Sequence, residues 1–416
     1  MSSNTIEHAF QAAIASGKIN GAIICATSTS GDFTYTTALG ERTLLSGEKR
    51  PQQLDDVLYL ASASKLITTI AILQCVEDGS LLSLDDATNI SRFAPELAAL
   101  KVLESDDPDA QPVPPKRPLT LAMLLAHTSG LSYEFLVPRI AVWRQRHAAP
   151  EEAASTTITQ RPVEQAFAYP LASHPGTSGL TYGPGLDWAG RILERATGSR
   201  LGEHVRRRIA APLGVTEEEV QFYPVDGEGV RGRMVDLNPE DPEGFGIAVA
   251  GNSAGAPNRL SLGDMGGHGL FMTGEGYLRV LASLCANDGK LLRRETVEMM
   301  FENWVGPDAE EGFRATVEGP WGPFFCNGID PKTKLGYGLG GLLTLEDIDG
   351  WYGERTLTWG GGLTFAWFID RKNGLCGLAA PQAALPVDAG VVTELKQVFR
   401  RDIYNKYDAW KKERGA

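Results

Sequence analysis

The sequence is poor in the residues that build metal, redox and disulfide centres. Its five cysteines (Cys25, Cys75, Cys285, Cys326, Cys376) are odd in number, have no C-x-x-C spacing and mostly have apolar neighbours. That pattern suits reduced core thiols and argues against a disulfide framework. The six histidines, at 8, 127, 147, 174, 204 and 268, show no H-E-x-x-H or other ligand spacing, so neither a metal nor a cofactor is implied. Basic residues are also scarce: 39 Lys and Arg stand against 52 Asp and Glu, a formal net charge of −13, with no basic face or arm. This excludes nucleic acid as the expected partner, and the densest basic run, Arg206-Arg207-Arg208, reads as the solvated side of a helix. No apolar run approaches the length of a membrane span, and the first eight residues, Met1 to His8, contain neither a basic n-region nor an apolar h-region. The expected location is therefore intracellular, in the cytoplasm and away from membranes.

What remains is ordinary globular composition, 43% hydrophobic and 22% charged, in 416 residues, enough for one large domain or two interleaved ones. The chemistry concentrates between Leu58 and Gly79. Ser62 and Lys65 are three residues apart, and a helix beginning at Ser62 stacks both side chains on one face of its first turn. From Leu66 to Val76 the residues are apolar on nearly every side, which marks a buried helix, and Gly79 ends it. A lysine in the first turn of a buried helix is costly to keep charged and unpaired. The neutral amine is favoured, and it can take a proton from serine. The helix N-terminus also offers free backbone N–H groups to a developing oxyanion. An alternative makes Ser62 a simple N-cap and lets Lys65 snorkel to solvent. A bare S-x-x-K arises by chance about once in a chain this long, and Ser46-Gly-Glu-Lys49 is a second copy. That copy lies in a polar turn ahead of Arg50-Pro51, whereas the Ser62 copy follows an extended apolar run and opens a helix.

Around this segment the pattern predicts a helix over Asn4 to Ser16 and strands over Gly21 to Thr27 and Asp32 to Ala38 joined at Ser30-Gly31. Lys101 to Pro118 reads as a proline-rich loop, Thr120 to Ala126 as a short helix, and Arg139 to Ser178 as irregular with one helical turn or two. His127, at a helix end, reads as a capping or gap-filling residue ahead of a general base. Helices are expected over Leu186 to Thr197, Leu201 to Leu213, Gly274 to Asn287, Arg294 to Glu302 and Val391 to Tyr407. Strands are expected over Leu335 to Leu345, Arg355 to Trp359, Leu363 to Asp370 and Leu375 to Ala380. Strands near both ends with helices between suggest one antiparallel sheet built from both termini and a helical insertion.

Two motifs are decoys. Gly251-Asn-Ser-Ala-Gly255 fits G-x-S-x-G, but Pro257 and a Gly-rich stretch follow where a nucleophile elbow needs a helix. Gly336-Tyr-Gly-Leu-Gly-Gly341 fits G-x-G-x-x-G, but the chain reads on as strand, so these glycines instead let a strand pass close to another backbone or a ligand.

With the Ser62-x-x-Lys65 helix in place, further segments fall in a familiar order: Leu124-Leu-Ala-His-Thr-Ser-Gly130, Tyr182-Gly-Pro-Gly-Leu-Asp-Trp-Ala-Gly190, Gly267-His-Gly-Leu270, Tyr337-Gly-Leu-Gly-Gly341 and Trp359-Gly-Gly-Gly362. Over almost its whole length the chain resembles the serine-reactive class C β-lactamase superfamily and, within it, the family VIII carboxylesterases. Ile19 to Cys25 and Trp351 to Thr358 resemble the branch of fungal lovastatin hydrolases and the related acyltransferases. The resemblance implies an α/β (α+β) fold, with a central antiparallel sheet flanked by helices from residues 1–80 and 260–416, and a mostly helical subdomain from 81–259. It implies Ser62 as nucleophile, Lys65 as its base and Tyr182 as the third member, relaying the proton between Ser62 and the leaving alcohol. Read without the resemblance, Tyr182 is only a tyrosine on a loop before a helix. The N–H groups of Ser62 and Gly362 would form the oxyanion hole, and Tyr133, Trp359 and Trp367 would contact substrate, though Tyr133 and Trp367 also suit a core. Pro184 replaces the asparagine of the lactamase Y-x-N motif and Trp359 the lysine of K-T-G. The polar groups that hold a β-lactam are thus missing, and an apolar, bulky ester is the expected small-molecule substrate. The implied activity is ester hydrolysis through an acyl-enzyme. The alternative is acyl transfer to a polyketide alcohol, which alone would add an acyl carrier protein as partner.

Overall fold

The two ends of the chain meet in one sheet. The computed structural model describes residues 5–43, 49–107, 109–147, 162–177, 179–222, 233, 235, 263–362, 365–383 and 388–415. The second S-x-x-K at Ser46 and the G-x-S-x-G at Gly251 to Gly255 lie outside them. The strands are β1 (Ile19–Ser28), β2 (Thr34–Thr43), β3 (Lys49–Pro51), β4 (Val57–Tyr59), β5 (Val220–Phe222), β6 (Leu270–Thr273), β7 (Leu335–Gly338), β8 (Gly341–Thr344), β9 (Leu357–Gly361), β10 (Phe365–Asp370) and β11 (Leu375–Ala383). Among the described residues, eight of them form a sheet in the order β3-β2-β1-β11-β10-β9-β8-β7, every neighbouring pair antiparallel.

β1 reads as a continuous apolar run because both of its faces are covered. Ile23 and Cys25 lie close to the start of the helix Gly274–Ala286, while the alternating Ala22, Ile24 and Ala26 are equally buried, and the terminal helices Ile6–Ala15 and Ala389–Arg414 also pack on β1. Each buried strand side chain of this kind stabilises the fold by about 1.5–3 kcal/mol. The helix expected over Val391 to Tyr407 therefore extends further at both ends. β4, β6 and β5 make a second, three-stranded sheet that periodicity did not reveal, since its strands are three or four residues long.

Three expectations are corrected. The α-helix begins at Ser64, not Ser62, because Ala61–Ala63 form a 3-10 turn ahead of it and Ala61 adopts φ +45°. Leu335 to Leu345 is a hairpin of β7 and β8 rather than one strand: Gly340, at φ +110°, turns the chain over Leu66 of the Ser64–Glu77 helix. Arg139 to Ser178 contains a ten-residue helix, Pro138–His147, with proline at its start and Arg144, Arg146 and His147 in its last turn. Among the described residues, no helix is long and apolar enough to cross a membrane.

Candidate active site

Ser62 sits in the tight turn before the Ser64–Glu77 helix, and that turn is fastened on three sides. The Leu60 N–H donates to the Leu270 carbonyl (3.0 Å), the Leu270 N–H donates to Ser64 Oγ (3.1 Å), and the Tyr277 hydroxyl donates to the Ala63 carbonyl (3.0 Å). β9 passes against the same turn so closely that a Cβ on Gly361 would overlap the Leu60 carbonyl oxygen, so only glycine fits there. Gly362 follows at φ +53° and lines the same cleft as Ser62.

Every residue from Ser64 to Cys75 is buried, and Lys65 is 1% exposed. Its Nζ has three hydrogen-bond partners: the Gly267 carbonyl at 2.6 Å, Ser62 Oγ at 3.2 Å and the Tyr133 hydroxyl at 3.3 Å. Three partners match the three N–H donors of an ammonium as well as the two N–H donors and one lone pair of an amine. The carbonyl is itself held: Gly266 and Gly267 are tied to the Ser64–Glu77 helix by Thr68 Oγ1 donating to the Gly266 carbonyl (2.7 Å), and to Asp187 by the Gly267 N–H (2.9 Å). His268 Nδ1 lies 3.2 Å from the same fully buried Asp187. Burial raises the Asp187 carboxyl, but the His268 imidazole, the Lys65 amine and the Gly267 N–H together hold it below its ordinary value.

Tyr182 comes to Lys65 face-on, its ring centroid 4.9 Å from Nζ, and its hydroxyl accepts from Trp359 Nε1 at 3.4 Å. Rings surround it: His127 at 4.6 Å, Trp359 at 5.3 Å, Tyr133 at 5.6 Å and Phe325 at 5.7 Å. His127 accepts the Gly183 N–H through Nδ1 at 3.4 Å, and burial, followed by the Lys65 charge, pushes its imidazole well below the ordinary value. It is a neutral packing partner of Tyr182. Burial, followed by the charge of Asp187, raises the Tyr133 phenol well above its ordinary value, so Tyr133 stays a neutral hydroxyl beside the amine.

Tyr182 separates two cavities. One is lined by Ser62, Trp359, Gly362, Lys396 and Arg400; the other, about 300 Å³, is lined by apolar groups including Leu136, Leu180, Trp321 and Phe325. Phe135, Trp321 and Phe324 are the exposed aromatics nearby.

Residues 6–393 match the family described as beta-lactamase. This chain belongs to that family. Among beta-lactamase family relatives it is 60% identical over 404 residues to the lovastatin esterase of Penicillium rubens, covering 97% of this chain and 98% of that one. It is 35% identical over 421 residues to the monacolin J acid methylbutanoyltransferase of Aspergillus terreus, covering 97% and 95%. The unliganded simvastatin synthase (LovD) structure from Aspergillus terreus has a TM-score of 0.82 at 34% identity, over 97% of this chain and 98% of that one. The resemblance read from the motifs and the beta-lactamase-like fold it implied are both borne out.

Of the residues singled out from sequence, the fold brings Ser62, Lys65, Tyr182, Tyr133, Trp359 and Gly362 together. It does not bring Trp367, which is fully buried in β10 opposite Trp359 and lines neither cavity. Its partners are core atoms. The beta-lactamase site also holds groups that sequence reasoning left without a role: Asp187 and Gly267, inside two of the ordered motifs, and Lys396 and Arg400 on the closing helix. A signal existed only for the first two.

Proposed function

We propose that this chain is a serine carboxylesterase that hydrolyses the side-chain ester of a lovastatin-like polyketide, giving a monacolin J-type alcohol and 2-methylbutyrate. The observation that carries the reading is the 3.2 Å approach of Lys65 Nζ to Ser62 Oγ at the foot of a buried helix, in a chain 60% identical to a lovastatin esterase. The Lys65 amine takes the proton of Ser62 as its oxygen attacks the ester carbonyl. The N–H groups of Ser62 and Gly362 receive the oxyanion, an arrangement in which one donor contributes about 3 kcal/mol to the transition state. Collapse of the intermediate expels the alcohol oxygen, which takes a proton through Tyr182, and the acyl group stays on Ser62 until water releases it. The apolar cavity and the exposed aromatics around it suit the bulky alcohol portion.

The transferase relatives favour a second reading, acyl transfer from a donor, with a carrier protein as partner, to a polyketide alcohol in place of water. They are named for acceptors in the acid form, monacolin J acid and ML-236A carboxylate, and the acid form of the ester we propose as substrate carries the same carboxylate on the alcohol part that it releases. Intact-mass spectrometry after mixing with lovastatin should show Ser62 heavier by one methylbutanoyl group. Product partition with excess monacolin J-type alcohol separates the readings, hydrolysis giving mainly free acid. An unmodified Ser62 with no product rejects both.

A further inference from the structure

We propose that Lys396 and Arg400 form a carboxylate-binding subsite beside Ser62, which holds the free carboxylate of the ester while its side-chain bond is cleaved. This rests on the esterase reading and adds the substrate's charge to it.

The two residues stand one turn apart on the helix Ala389–Arg414 and are 8% and 1% exposed. Both line the cleft that contains Ser62, Trp359 and Gly362. Their partners are all neutral: Lys396 Nζ donates to the Gly362 carbonyl, and Arg400 donates to Asn327 O (3.2 Å), Asn327 Oδ1 (3.1 Å) and Trp359 O (3.4 Å). Among the described residues, no carboxylate pairs with either, whereas Arg42, the other buried arginine, is paired with Asp56. Arg400 Nε is buried and makes no well-formed hydrogen bond, and the neutral group the guanidinium faces on that side is the buried Tyr352 phenol. The nearby Tyr352 phenol, pushed up to about 12 by burial, stays uncharged and supplies no counter-charge.

Two like charges buried side by side are costly unless an anion joins them. Burial first, and the Arg400 charge second, push the Lys396 amine down to about 7, as such a vacancy in charge balance requires. An incoming carboxylate would accept from the remaining Lys396 N–H groups, with the Arg400 guanidinium charge directly behind them. It would restore the ammonium and leave the Gly362 carbonyl, hence the turn carrying the oxyanion N–H, in place. In a chain of net charge −13, whose overall field repels an anionic substrate, this local pair is what makes an acid-bearing ester acceptable.

The test compares lovastatin hydroxy acid with its primary carboxamide, which removes the charge and keeps the ester. The wild-type preference, the ratio of the two kcat/KM values, should favour the acid and fall at least tenfold in Lys396→Met, with Lys396→Arg restoring most of it. Ser62→Ala protein, which cannot turn over, should bind monacolin J acid more tightly than its carboxamide, and Ser62→Ala/Lys396→Met should lose that difference. An unchanged ratio in Lys396→Met, or equal binding of acid and carboxamide to Ser62→Ala, overturns the proposal. If wild type fails to turn over either ester while the binding difference holds, the esterase reading fails and the anion subsite stands. Should Lys396→Met not fold, Arg400→Lys, which moves the charge but keeps it, is measured in its place, and an unchanged ratio there overturns the proposal equally.

Discussion

Tyr133 places its hydroxyl 3.3 Å from Lys65 Nζ, while Tyr182 shows the same amine only its ring face, 4.9 Å away. The two tyrosines thus stand in different relations to the Lys65 amine. Tyr133 is held protonated by burial and by Asp187, so it can orient the amine but cannot take a proton at neutral pH. Tyr182 borders both cavities with its hydroxyl on Trp359 Nε1, and in the mechanism proposed above it is the one that meets the leaving alcohol. Tyr182→Phe should lower kcat by 10² to 10⁴, the usual range for a general acid or base, with KM nearly unchanged. Tyr133→Phe should cost about tenfold. Steady-state kinetics of the two variants decide it, and equal losses would mean that the roles are shared.

Ser62→Ala should abolish turnover and leave the fold intact. Ser62 is at the surface of the cleft, its only side-chain hydrogen bond among the described residues is to Lys65, and the turn is fastened by Leu60, Ala63 and Ser64 instead. A fluorophosphonate probe should label the wild type and not the variant, with melting temperatures within a few degrees. Labelling that persists in Ser62→Ala places the nucleophile elsewhere.

How much of this was legible in the sequence depends on reach along the chain. The apolar run of β1 and the Ser62-x-x-Lys65 pair are local patterns, and the sheet from both ends followed from where such patterns lay. The Gly267 carbonyl on Lys65 is 202 residues away, and nothing near Lys65 announces it. Lys396 was hidden for another reason. On a helix with an apolar face, a lysine reads as the solvated side, and only the approach of Gly362, 34 residues earlier, reveals that it points inward. Trp367 shows the limit of matching a family's pocket wall: it pairs directly with Trp359 and shares its face of the sheet, yet it is fully covered by its neighbours and reaches neither cavity, as the core reading of it allowed.

Asp187 links the base to acid stability. Its folded carboxyl lies below the ordinary value despite complete burial, so it contributes stability that is present above the unfolded carboxylate value near 4. That contribution is lost as pH falls through the lower folded value. Asp187→Asn should flatten this acid limb in urea titrations between about pH 5 and 2 and cost about 3 kcal/mol at neutral pH, since it leaves His268 and the Gly267 N–H without their anion. Activity should fall less than stability does, because the Asn amide oxygen can still accept the Gly267 N–H and keep the Gly267 carbonyl near Lys65. An unaltered acid limb would remove Asp187 from this role.

Lys396 gives the opposite slope. In the unfolded chain its amine keeps a proton up to its ordinary value of 10.5, whereas in the folded protein it releases the proton at about 7. Between those values the unfolded chain binds more protons, so stability rises with pH across the window and the full penalty applies below pH 7. At about 1.4 kcal/mol per unit of displacement, the penalty amounts to a few kcal/mol. Lys396→Met removes it. The variant should therefore be more stable than wild type at pH 6.5, and the gap should close as pH rises toward 9, read as urea midpoints at several pH values. A buried lysine that weakens the fold near neutral pH contributes something other than packing. The gain in stability should appear in the same protein that loses its preference for the acid-bearing ester. Lower stability in Lys396→Met at pH 6.5 would show that the buried amine is already neutralised in the folded chain and needs no ligand to balance it.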